Sequence, residues 1–198
     1  MDKDVDIILM ASGTSKVYDD VRKAINTLPD KVLFIAAAGN RIDCDRVAFP
    51  ARMPRVMCTF ATTARNNISR HLNPSPLERA YNFGIFGENV QPDTWDTAVS
   101  GTSFAAAIAA GFTASLLYFS RLPVPAGERT LNLEGYEKMN FIFEELSRDN
   151  KDHEYNCIVP WRLMSLVTFN NNPDRLEQLR QHRQRIRNFL SDILLQRM

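Results

Sequence analysis

Histidine is scarce in this chain: His71, His153 and His182 are the only three in 198 residues. Cysteine is equally sparse. Cys44, Cys58 and Cys157 are odd in number and lack metal-type spacing. That excludes a disulfide framework, points to free thiols in a reducing compartment, and leaves no expected metal or cofactor. Charge of one sign is also missing. A formal net charge of +1 provides no basic footprint for nucleic acid. No uninterrupted apolar run reaches membrane-spanning length, so a membrane partner is not expected. Met1-Asp2-Lys3-Asp4 is acidic and polar where a signal peptide would need a basic start, and a cytoplasmic protein is expected.

What is present suffices for one packed domain, with 44% hydrophobic and 24% charged residues. Val5-Asp6-Ile7-Ile8-Leu9-Met10 is a short apolar run that ends in Ala11-Ser12-Gly13, the pattern of a buried parallel strand entering a loop. Residues 17–28 place Val17, Val21, Ala24 and Ile25 at helical spacing and close on Pro29-Asp30. Residues 31–38 form a second apolar strand, ending at Gly39-Asn40. Strand, helix and strand with short joints predict a βαβ unit and a parallel sheet. Ligands of open α/β sheets sit beyond the carboxyl ends of the strands, where Ser12-Gly13 and Gly39-Asn40 fall. Neither glycine stands in a Gly-x-Gly-x-x-Gly setting, which weighs against a dinucleotide site.

Val56 to Ala61 reads as a third strand, residues 62–80 as a polar surface excursion, and residues 80–90 as short strands separated by glycine turns. Then Ser100-Gly101-Thr102-Ser103 leads into Phe104-Ala105-Ala106-Ala107-Ile108-Ala109-Ala110-Gly111, which continues to Tyr118. A helix apolar on all sides belongs inside a domain. Its N-terminus offers free N–H groups and the positive end of the helix dipole. Taken alone, Thr102 or Ser103 would be a helix cap.

Several motifs fall together in order: Ala36-Ala37-Ala38-Gly39-Asn40, Phe49-Pro50-Ala51 with Pro54-Arg55-Val56, Asn82-Phe83-Gly84, and Ser100-Gly101-Thr102-Ser103-Phe104-Ala105-Ala106. Over residues 4–120 this resembles the C-terminal half of the catalytic domain of the subtilisin family of serine peptidases. The resemblance implies an α/β, three-layer, parallel-sheet domain over residues 1–121, partial and without its N-terminal part. A mostly helical C-terminal extension follows over residues 122–198. It further implies a serine endopeptidase acting on a peptide or protein substrate, with Ser103 as nucleophile. Asn40 would be the side-chain donor of the oxyanion hole, beside the backbone N–H of Ser103. Ser12 and Gly13, with Ala37, Ala38 and Gly39, would flank the pocket for the side chain before the scissile bond.

The family's triad runs Asp, His, Ser along the chain, and no matching Asp or His motif precedes Ser103. His71, His153 and His182 lie in polar stretches that suit solvated surface, and Asp6 and Asp43 lack the family context. Ala107 stands where the family usually has Pro, and Ala11 where it commonly has Ser. The resemblance therefore leaves two readings open. One is a peptidase completed by a second chain or a missing N-terminal segment; the other is an inactive fold that binds peptide or protein. The strand at Val5 would then have an open edge.

In the extension, Pro123-Val124-Pro125-Ala126-Gly127 reads as a linker and residues 133–146 as a helix. Asn156 to Met164 is a compact apolar segment, and a final helix is capped at Asn172-Pro173. Arg175, Arg180, Arg183, Arg185 and Arg187 crowd one face of that helix. They predict either a helix docked on its own domain with a solvated basic face, or one bound to a membrane or a partner groove.

Overall fold

The computed structural model describes residues 4–40, 46–78, 81–124, 130–147, 151–152, 154–160, 163 and 175–196. In chain order its elements are β1 (Ile7–Met10), α1 (Asp19–Thr27), β2 (Leu33–Ala37), β3 (Val56–Thr62), β4 (Phe83–Phe86) and α2 (Thr102–Arg121). These are followed by α3 (Tyr136–Leu146), β5 (Lys151–Asp152), β6 (Tyr155–Cys157) and α4 (Arg175–Leu195). The strands form one sheet in the order β1-β2-β3-β4-β6-β5. Every neighbouring pair is parallel except β5 with β6.

Alternation along the strands sorts the core into two faces, as a period of two requires. Leu33, Ile35, Met57, Ala61, Phe83 and Ile85 pack beneath α2, α3 and α4. Phe34, Ala36, Val56, Cys58 and Phe60 face the other way, toward Ile25 of α1 and the segment around Phe49 and Met53. The result is the expected three-layer α/β arrangement. Gly84 lies inside β4, so residues 80–90 hold one strand where several were expected. Its missing side chain leaves room for Thr62, whose methyl would lie 2.8 Å from a Cβ there.

The expectation of an all-round buried α2 is corrected. Thr102, Ala105, Ala106, Ala109, Thr113, Leu116 and Leu117 face the sheet. Ala107, Gly111, Ala114 and Ser115 are exposed, and Tyr118 is 70% exposed. By length and composition α2 is also apolar enough to cross a membrane, contrary to the sequence reading; it packs instead on β2, β3 and β4. Strand β1 is an edge with no partner on its outer side among the described residues, and Leu9 there is 42% exposed.

The C-terminal segment completes the same sheet and core. Asn156 N–H donates to the Asn82 carbonyl and Ile158 N–H to the Gly84 carbonyl, both at 2.8 Å, laying β6 along β4. The Phe143 ring meets Phe83 edge-on at 5.3 Å. Helix α4 docks through Leu190 and Ile193. Its basic face is split. Arg180 and Arg185 are exposed, while Arg187 is 3% exposed, lies over the Phe119 ring and donates to the Leu122 carbonyl. Arg183 donates to the Pro123 carbonyl. His182 is buried rather than solvated. His153, Asp43, Cys44, most of the 123–127 linker and the Asn172-Pro173 cap lie outside the described residues.

Arg121 ends α2 beside the start of β1, and its guanidinium donates two hydrogen bonds of 2.6 Å to the Asp6 carboxylate. These hold the Asp6 carboxyl below its ordinary value of 3.8. A carboxylate with a depressed folded-state pKa stabilises the fold above that ordinary value. The contribution is lost as pH falls through the folded value. Both partners are substantially exposed, so the effect is modest. The melting temperature of the native chain is expected to fall more steeply below about pH 4 than that of Asp6→Asn. Parallel curves in a calorimetric pH series would contradict this.

Candidate active site

The carboxyl ends of β1 and β2 open onto the N-terminus of α2, because α2 runs antiparallel to the strands it covers. This brings the loop after β2, carrying Gly39 and Asn40, against Gly101-Thr102-Ser103. Gly39 has φ +114°, in the left-handed region that glycine tolerates. Its N–H donates to the Thr102 hydroxyl at 3.1 Å. That hydroxyl donates in turn to Asn40 Oδ1 at 2.9 Å, and the Thr102 backbone N–H donates to the same oxygen at 2.7 Å.

This network fixes the orientation of the amide. Two donors occupy Oδ1, so Nδ2 is the end left to face the site. A Cβ built on Gly101 would lie 2.9 Å from Asn40 Nδ2 and 3.2 Å from Ser103 Oγ. The amide donor and the hydroxyl therefore flank one small space that glycine keeps open. Thr102 does not cap the helix: α2 starts on Gly101 without a side-chain cap, and the Thr102 hydroxyl reaches across to Asn40. Thr102 is buried, Ser103 half-buried and Asn40 exposed. The sequence reading considered Thr102 only as a cap. Its place beside Ser103 was the available signal for its role in positioning Asn40.

Beside this space is a cavity of about 330 Å³. Residues 13–15 form one wall and residues 38–40 the other, with Arg46, Ala48 and Pro74 completing it. The walls are tied together. Thr14 and Phe49 exchange backbone hydrogen bonds of 2.9 and 2.8 Å, and Ala48 N–H donates to the Ala38 carbonyl at 2.8 Å. Gly13 is required by close approach, since a Cβ there would stand 2.5 Å from the Ala48 methyl. Of the residues expected to flank the pocket, Gly13, Ala38 and Gly39 line this cavity, together with Asn40. Ser12 and Ala37 are not among its lining residues, and Ala37 is buried within β2.

Among the described residues no side chain accepts a hydrogen bond from the Ser103 hydroxyl. His71 is exposed on the loop after β3, and His182 is buried on α4. Asp6 is engaged by Arg121 at the opposite end of β1. The described residues hold no cluster of His, Cys, Asp and Glu that could bind a metal.

Comparison with solved structures gives three instructive likenesses. The S218A mutant of the protease domain of PatA matches with a TM-score of 0.62 at 22% identity, covering 81% of this chain and 59% of that one. The prenylagaramide maturation protease PagA matches at 0.58 and 23% identity, covering 77% and 57%. The PatG macrocyclase domain matches at 0.57 and 20% identity, covering 77% and 48%. At these identities the likeness concerns the fold, and the chain spans roughly half to three-fifths of each. No curated protein matches by sequence. The peptidase S8 family, described as the subtilase family, matches residues 1–122, which include the Gly39–Asn40–Thr102 network, the cavity and α2. The chain belongs to the subtilase family.

Proposed function

We propose that this chain carries the nucleophile half of a subtilisin-like serine endopeptidase. Ser103 Oγ attacks the carbonyl carbon of a peptide bond. The oxygen that becomes negative is met by Asn40 Nδ2–H and the Ser103 backbone N–H, at the positive end of the α2 dipole. The supporting observation is the pairing of Asn40 Nδ2 and Ser103 Oγ across Gly101, with the amide turned by Thr102. Donors fixed before the reaction need no reorganisation when the charge forms.

The attack also requires a base for the Ser103 proton. A polypeptide segment outside the described residues supplies it, seated on the open outer edge of β1. The exposed apolar Leu9 and Val5 favour that docking edge. In subtilisin, loss of the base alone costs roughly a million-fold in turnover, so the chain without this segment hydrolyses peptides very poorly. That no side chain among the described residues accepts from the Ser103 hydroxyl favours a second reading, a peptide-binding module without turnover.

A fluorophosphonate probe tests whether Ser103 is activated in this chain by itself. Labelling of the folded native chain that disappears in Ser103→Ala is the expected result for the peptidase, in which an activated serine is present. A folded sample that takes up no probe would reject self-sufficient activity. It would leave the binding module, or a site that needs its partner segment added.

A further inference from the structure

Arg46 is the one charged side chain among the described residues that line the cavity beside Ser103. It is exposed, at the mouth rather than in the floor. Its position is braced. The Arg52 guanidinium donates to the Ser15 carbonyl at 3.0 Å and to the Val47 carbonyl at 3.1 Å, tying the residue next to Arg46 to the wall at residues 13–15. The Thr14 hydroxyl oxygen accepts from the Lys16 N–H at 3.2 Å, so its own proton is free to be donated into the cavity. Between the walls stands the Ala48 methyl, 3.6 Å from a Cβ on Gly39 and closer still to one on Gly13. It takes up room that a large ring would need.

The geometry points to a pocket that selects an acidic side chain, aspartate or glutamate, immediately before the scissile bond. This rests on the proposed function, in which the cavity receives that side chain. A carboxylate entering along Gly39 accepts from the Arg46 guanidinium, whose planar fork matches its two oxygens, and from the Thr14 hydroxyl. A lysine in the same place meets Arg46 as a like charge, and a neutral glutamine gains only a neutral hydrogen bond. Because Arg46 is exposed, the preference for glutamate over glutamine is about three- to tenfold and weakens with added salt.

The test reads binding rather than turnover. Ser103→Ala protein, which cannot cleave, is titrated into fluorescein-labelled hexapeptides that differ only in a central Glu, Gln, Leu or Lys. Anisotropy gives each affinity, at low and high salt. The expected order places Glu first, and Ser103→Ala/Arg46→Glu turns the preference toward Lys. Equal affinity for Glu and Gln, or no change on charge reversal, overturns the acidic preference and leaves the peptide groove standing. No binding of any peptide overturns the groove reading and the preference with it. The circular dichroism of the double variant should match that of Ser103→Ala, since an exposed side chain is being exchanged.

Discussion

A chain ending at Leu122 does not reach a cooperatively folded state. The family match ends at that residue, yet the folding unit does not. Half of the buried members of the core beneath α2 come from beyond it, from Leu131 to Ile193. Burying a large apolar side chain contributes about 1.5–3 kcal/mol, and a domain's whole stability is only about 5–15 kcal/mol. Losing ten such residues leaves the side of the core that they cover open to water. The cut also strips β6 from β4, taking from the Asn82 and Gly84 carbonyls their β6 donors and opening an apolar strand edge. Phe83, Leu116 and Leu117 would be uncovered beside it. Scanning calorimetry of residues 1–122 is expected to show no cooperative transition, with strong binding of a hydrophobic dye. A sharp, reversible melt would show that the first four strands and α2 suffice.

This distribution of the core explains what could and could not be read from the sequence. The apolar runs Leu33-Phe34-Ile35-Ala36 and from Val56 are local signals, and both strands lie where expected. Strand β6 has only three residues, and its partner is Phe83-Gly84. So short a piece has no period to detect, and its pairing is fixed by a contact more than seventy residues distant. The apolar stretch around it could be recognised as packed, but not as part of the sheet. His182 and Arg187 misled for a related reason. Both sit in a strongly basic run that reads as solvated, but docking through Leu190 and Ile193 turns them inward. An exposed face on a helix as apolar as α2 is likewise invisible to composition, because alanine and glycine serve equally well against a sheet or in water.

The candidate site was more legible because its residues are concentrated in two short pieces, Gly39-Asn40 and Gly101-Thr102-Ser103. Residue type alone could not orient the amide of Asn40. An asparagine after glycine is also an ordinary turn former. Only the approach of Thr102 from α2 distinguishes an amide held in position from one that merely finishes a loop. Arg46 lay beyond the motifs entirely. It adjoins Ala48 and the Phe49-Pro50 segment, and becomes part of a cavity only when residues 48–49 pair with Thr14 and Ala38.

Replacing Asn40 by Ala lowers the rate at which a fluorophosphonate probe reacts with Ser103 by about a hundred- to a thousand-fold. The size is that of removing one oxyanion-hole donor in this family, about 2.7–4 kcal/mol of transition-state stabilisation. Asn40 is exposed and buries no apolar surface, but its loss takes the acceptor from the buried Thr102 N–H and hydroxyl, so the melting temperature falls by a few degrees while the protein stays folded under assay conditions. The loss would then be assigned to chemistry rather than to unfolding. Thr102→Val provides the internal check. It keeps the shape of the side chain and removes the hydroxyl that links Gly39 N–H to Asn40 Oδ1. The backbone N–H of Thr102 still holds the amide at 2.7 Å, so orientation is loosened and the donor remains. Its rate is expected between those of the native chain and Asn40→Ala, with initial binding of the probe unchanged in both variants. A native rate for Asn40→Ala would show that Ser103 reacts without this amide and that the pairing across Gly101 has no part in the chemistry. A Thr102→Val rate as low as that of Asn40→Ala would show instead that the amide swings away once the hydroxyl is gone, making Thr102 the residue on which the donor's position depends.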